Sequence, residues 1–216
     1  MRDVVHDVMH PNSTVAYQQG FEGNRVLFVF ESPGKLEYEL NRPVVGNTGV
    51  HLCILCERIR SKAAKSKYSS VQDISRDICK QTASILNISA VSLPKKSADQ
   101  LNKEERRSIA EKLIARKEFQ ELLQSALVVI CFGRLAWDMG DIIESKLNDC
   151  GNNYKIIYTY HLSSKASRNF EGSTWPEKMT RLASRIVHVF EDEGRRISDF
   201  TNFEKKYKRL PVQPKE

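Results

Sequence analysis

The chain has 216 residues, of which 40% are hydrophobic, long enough to bury a core and of a size that suits one domain. Its 34 Lys and Arg stand against 27 Asp and Glu, a net charge of +7 that admits a polyanionic partner without naming one. No apolar run is long enough to cross a membrane and no signal-like start is present, while five scattered cysteines make no secreted disulfide framework. A cytoplasmic protein with reduced thiols, without membrane contact, is therefore expected.

Residues 1–24 mix Asp, His, Asn, Gln and Gly without periodicity and read as an irregular entry with at most one short helix. Arg25 to Phe30 is a continuous apolar run, the pattern of a strand covered on both faces. Glu31-Ser32-Pro33-Gly34 ends it, and after a loop with Pro43 and Gly46 a helix is expected from about Thr48 or Gly49 to Ser61. Leu52, Cys53, Leu55, Cys56 and Ile59 recur there at helical spacing, so Cys53 and Cys56 read as packed side chains; without a second ligand pair no metal is expected.

The basic stretch Glu57 to Lys80 reads as surface, with a helix from about Val71 toward Ile85. Asn87 to Ser92 is the second expected strand, stopped by Pro94. Ile109, Leu113, Ile114, Phe119, Leu122 and Leu123 mark an amphipathic helix over 103–125. A third strand spans Leu127 to Phe132, followed by Gly133-Arg134 and a helix through Ala136, Met139, Ile142 and Ile143. Tyr154 to Tyr160 is a fourth strand, ending at His161 and a Ser- and Lys-rich loop, and a last helix runs from Trp175-Pro176 to about Asp192.

Strands alternating with helices imply right-handed crossovers: an α/β fold, three-layer α/β/α, with a central, mostly parallel four-stranded sheet over residues 25–193 and a peripheral basic tail over 194–216. Ligands of such sheets bind at the carboxyl ends of the strands, where the unusual segments fall: Glu31 to Gly49, Ser92 to Lys96, Gly133-Arg134 and His161 to Asn169.

Three of these segments, in order, carry a resemblance. Glu31-Ser32-Pro33-Gly34 followed by Pro43-Val44-Val45-Gly46-Asn47-Thr48-Gly49, then Phe132-Gly133-Arg134-Leu135-Ala136, then Thr159-Tyr160-His161-Leu162-Ser163, is similar to the motif series of the uracil-DNA glycosylase superfamily, closest to its family 4 members. The similarity spans roughly residues 25–190. It implies a monomeric DNA glycosylase without cofactor that flips a damaged or modified pyrimidine out of DNA and hydrolyses its N-glycosidic bond. By resemblance, Glu31 stabilises the oxocarbenium-like sugar or positions water, and His161 donates to O2 of the departing base. Ser32, Pro33, Gly34, Val44, Val45, Gly46, Asn47, Ser89 and Ala90 would form the base pocket, and Ser163, Ser164, Lys165, Arg168, Asn169 and Arg134 would contact DNA. Arg181 and Arg185, one helical turn apart, suggest a further DNA-facing stripe. The other histidines, His51 among them, receive no role.

The sequence also departs from the family. Val44 stands where an aromatic would stack on uracil, no asparagine falls near Ser89 or Ala90 to read the pyrimidine edge, Asn87 being out of register, and Leu162 replaces a proline. The iron-sulfur cysteines are missing. These changes point to uracil or a bulkier modified pyrimidine, such as a glucosylated hydroxymethylcytosine of phage DNA, and so to anti-phage defence. The competing expectation is a DNA-binding member without catalysis.

Overall fold

Val26–Phe30 has no polar side chain, and such a run is stable only where apolar layers cover both its faces. The computed structural model describes residues 17–18, 20–31, 33–88, 126–133 and 155–191, with Glu104, Ser108, Glu111, Ala115, Gln120, Ala136, Ile142 and Ile143. Within it the strands are β1 (Tyr17–Gln18), β2 (Val26–Phe30), β3 (Ser84–Asn87), β4 (Val128–Phe132) and β5 (Lys155–Thr159). They form one sheet in the order β1-β3-β2-β4-β5. The four longer strands are parallel, and β1 adds a two-residue antiparallel edge on β3 that polar Tyr17-Gln18 gives no pattern to predict.

Helices α1 (Lys35–Leu40), α2 (Gly46–Ala63), α3 (Ser69–Asp77) and α4 (Trp175–Glu191) complete the described elements, with one 3-10 turn over Ser164–Asn169. Val26, Phe28 and Phe30 join Leu52, Leu55, Ile59, Met179 and Ile186 in one buried cluster beneath α2 and α4. Leu27, Val29, Val129, Cys131 and Ile156 point to the opposite face and are fully buried as well, as are Ala136 and Ile143, both helical. Alternate residues of each strand are thus buried on opposite faces, giving the three-layer α/β/α architecture.

One lysine and one arginine lock the amino ends of the strands. Lys155 Nζ donates to the carbonyls of Val189 at 2.9 Å and Phe190 at 2.8 Å, closing the carboxyl end of α4 against the start of β5. Arg25 Nε meets Asp77 Oδ2 at 2.8 Å, tying the end of α3 to the start of β2.

Two elements differ from expectation. The second strand lies three residues earlier than its pattern suggests, at Ser84–Asn87, because the helical spacing that begins at Val71 stops at Asp77 rather than near Ile85. The loop between the first strand and the long helix contains α1, and α2 begins at Gly46 rather than Thr48 or Gly49. The short α1 leaves Leu36, Tyr38 and Leu40 exposed, so it carries no core-facing stripe that a periodicity argument could detect. No described helix is long and apolar enough to cross a membrane.

Candidate active site

Register fixes what meets at the carboxyl rim. Asn87 pairs with Phe30, Phe30 with Phe132, and Phe132 with Thr159, so the four parallel strands end in one row. The ladder continues one step further, with Ile88 N donating to Phe30 O at 3.0 Å and Gly133 N donating to Thr159 O at 2.8 Å. Glu31 follows Phe30 directly, and His161 lies two residues past Thr159. The two groups therefore stand on β2 and β5 with only the end of β4 between them, strands separated by roughly 10 Å in all.

That intervening position is Gly133, whose φ of +93° lies in the region side chains avoid. A Cβ there would sit 2.5 Å from Glu31 Oε1 and 2.6 Å from Glu31 Cδ. The Glu31 carboxylate thus rests against the bare Cα of Gly133, and glycine is required twice over, by its backbone angle and by the carboxylate it admits.

His161 has a defined protonation state. Its ring stands edge-on to Phe30, centroids 5.8 Å apart, and burial depresses its pKa to about 4. Ser163 N donates to His161 Nδ1 at 3.1 Å, so Nδ1 is the acceptor and the proton of the neutral ring is on Nε2. Because the folded pKa lies below the ordinary 6.5, the unfolded chain binds the extra proton between pH 6.5 and about 4. Stability from this group is therefore full above pH 6.5 and is lost as pH falls toward 4, by at most about 3 kcal/mol. Thermal melts across that window should show the decline, and His161→Leu should remove this part of it.

The segment between Gly34 and Val44 is closed at its base by a residue that received no role in the sequence. Glu37 accepts hydrogen bonds from the backbone N–H of both Gly34 and Val44, and from the side chain of Asn87. The contact to Gly34 is one half of a capping box for α1. Burial raises its carboxyl above the usual range, and the three donors and the nearby Lys80 ammonium oppose that rise. Asn87, out of register for its expected role, is placed in the rim row because β3 ends there rather than beginning. The signal for Glu37 was its position three residues after Gly34, the spacing at which a glutamate side chain reaches back to the N-cap backbone N–H.

The predicted pocket residues divide. Pro33 and Val44 are buried, Val45 is half-buried, and Gly34, Gly46 and Asn47 are exposed. Val44 is only 1% exposed within the core and has a φ of +52°, a strained conformation for a β-branched residue. Its side chain packs within the buried core cluster that includes Phe30 and Leu52. The carbonyl of Val44 lies 2.4 Å from where a Cβ of Gly49 would be, so the tight turn needs glycine at 49. A cavity of about 570 Å³ opens beside α2, lined by Val45, Gly46, Gly49, Val50, Cys53 and Lys80 among others; Glu31 and His161 are not part of its wall. Ser32, Ser89, Ala90 and Arg134 lie outside the described residues.

Of the expected DNA contacts, Ser163 caps the 3-10 turn and Ser164, Arg168 and Asn169 lie within it, the first two of these exposed; Lys165 is described by its backbone alone. Arg181 bridges to Glu177 at 2.8 Å and to Glu171 at 3.8 Å, and Arg185 pairs with Glu171. These carboxylates neutralise the proposed basic stripe on α4. Cys56 is buried and its thiol is pushed up by desolvation, and among the described residues no group of His, Cys, Asp and Glu is arranged to hold a metal.

The fold and rim together define an α/β/α protein with a carboxylate and a neutral imidazole at the carboxyl ends of its strands. No protein-family model matches the chain, and no curated protein sequence matches it.

Proposed function

We propose that this protein is a DNA glycosylase of the uracil-DNA glycosylase kind, acting on uracil or a bulkier modified pyrimidine, with a role in defence against phage whose DNA carries such bases. The observation that supports it most is the juxtaposition of Glu31 and His161 across Gly133, with the imidazole neutral and its proton on Nε2.

Breaking the bond from C1′ to the base sends its electron pair onto the base and leaves positive charge on the sugar. A neutral Nε2–H is suited to donate to the base oxygen as negative charge develops there. The Glu31 carboxylate is suited to stabilise the cationic sugar and to orient the water that adds to C1′, whose proton is taken up in the end by the released base anion. The Ser163–Asn169 segment, directly after His161, carries exposed Ser164 and Arg168 for backbone phosphates. The pyrimidine must leave the stack first, and the net charge of +7 favours the encounter.

The test is incubation of the purified protein with duplexes bearing uracil, hydroxymethylcytosine or its glucosylated form, followed by alkaline cleavage at abasic sites. Cleavage of one modified strand and not of the unmodified control is the expected result. Intact strands throughout would overturn the reading. A non-catalytic DNA-binding protein is the second reading, favoured by a cavity beside α2 whose lining includes neither Glu31 nor His161. It predicts salt-sensitive DNA binding with no strand made alkali-labile.

A further inference from the structure

His51 lies on α2, buried at 7% exposure, and its ring stacks on Trp175 with centroids 3.6 Å apart and planes 19° from parallel. Its Nδ1 is 2.7 Å from the carbonyl oxygen of Leu162. A carbonyl oxygen can only accept, so His51 donates from Nδ1 and holds its proton there. Ser163 N, which donates to His161 Nδ1 at 3.1 Å, belongs to the same peptide unit as that carbonyl. The peptide is planar, so the direction of its C=O sets the direction of its N–H. His51 and His161 are therefore joined end to end through the single peptide between Leu162 and Ser163.

We propose that His51 is a positioning residue that fixes the tautomer and orientation of His161 through the Leu162–Ser163 peptide. By holding the carbonyl, His51 aims the N–H at Nδ1 of His161, and the chain of two hydrogen bonds polarises each link. His161 is left with one available arrangement, an acceptor at Nδ1 and a donor at Nε2. Without the first bond the peptide can rotate, and the ring loses the partner that distinguishes its two nitrogens. Stacking on Trp175 holds the His51 ring in plane, and Trp175 in turn packs on Phe170, centroids 5.8 Å apart, at the far end of the same loop. The tautomer itself needs no substrate; its consequence for base release rests on the glycosylase reading.

The experiment separates the two. Nitrogen-15 spectra of the full chain report which ring nitrogen of each histidine carries the proton. In the native protein His51 is expected to be protonated on Nδ1 and His161 on Nε2. The opposite assignment for either ring overturns the proposal without any variant. His51→Phe keeps an aromatic ring against Trp175 and loses the donor, so His161 should shift to a mixture of tautomers. His51→Asn keeps an amide donor near the position of Nδ1 and should restore the single tautomer. An unchanged His161 signal in a folded His51→Phe protein would overturn it. On a substrate strand, His51→Phe should lower kcat about 10- to 100-fold with KM unchanged, and His51→Asn should recover most of it. If the native protein releases no base while the tautomers are as stated, the glycosylase reading fails and the positioning role stands.

Discussion

Replacing Glu31 with glutamine is expected to lower the rate of base release about 100- to 1000-fold while leaving salt-dependent DNA affinity close to that of the native protein. Glutamine keeps the shape of the side chain resting against Gly133, so the substitution isolates the negative charge. The charge matters only when the sugar becomes cationic, which is why the loss should fall on kcat rather than on binding. Single-turnover release and fluorescence anisotropy, measured on the same duplex, check both halves. A Glu31→Gln protein that releases base at the native rate would remove the carboxylate from the mechanism.

The second large effect is expected at Gly133. Alanine there must adopt a φ of +93° and place its Cβ 2.5 Å from Glu31 Oε1. The backbone strain costs on the order of 1 to 3 kcal/mol. The steric conflict is relieved more cheaply, because the obstructing atoms are the far end of a flexible side chain and the carboxylate can swing aside. The chain should therefore still fold, with a lowered melting temperature, but with its carboxylate moved by an ångström or more. Displacement on that scale typically costs about 100-fold in rate. Gly133→Ala should thus lose far more activity than stability, and the Glu31→Gln, Gly133→Ala double variant should be little slower than Glu31→Gln alone. Additive losses would mean that Gly133 acts otherwise than through Glu31.

The strands that carry the site were legible because they are buried on both faces. Val26–Phe30, Val128–Phe132 and Lys155–Thr159 each lie within one residue of the limits that their apolar runs suggest. The segments at their ends, with Glu31, Gly133 and His161, followed from the rule that parallel sheets bind at their carboxyl edge. What could not be read was anything carried by tertiary contact alone. Ser84 and Asn87 are polar, and only their partners in β2 make a strand of the residues between them. Val44 looks like an ordinary apolar residue of a loop, and its left-handed backbone follows from the hydrogen bond of its N–H to Glu37 and from the approach of its carbonyl to Gly49. His51 and Leu162 are 111 positions apart, so neither residue's surroundings in the chain hint at their bond. Arg181 and Arg185 were visible as a charged stripe, but Glu171, on a different segment, was not visible as its neutraliser.

Glu37 grips the backbone at both Gly34 and Val44, and so it turns the stretch between them into a closed loop with a clasp at its neck. Changes of length or composition at the tip, around Tyr38 to Arg42, need not propagate past the clasp to the rim of the sheet. The outward-facing Leu36 and Leu40 lie on the far side of that clasp from the strand ends, so exchanging them should leave the register of the rim unchanged.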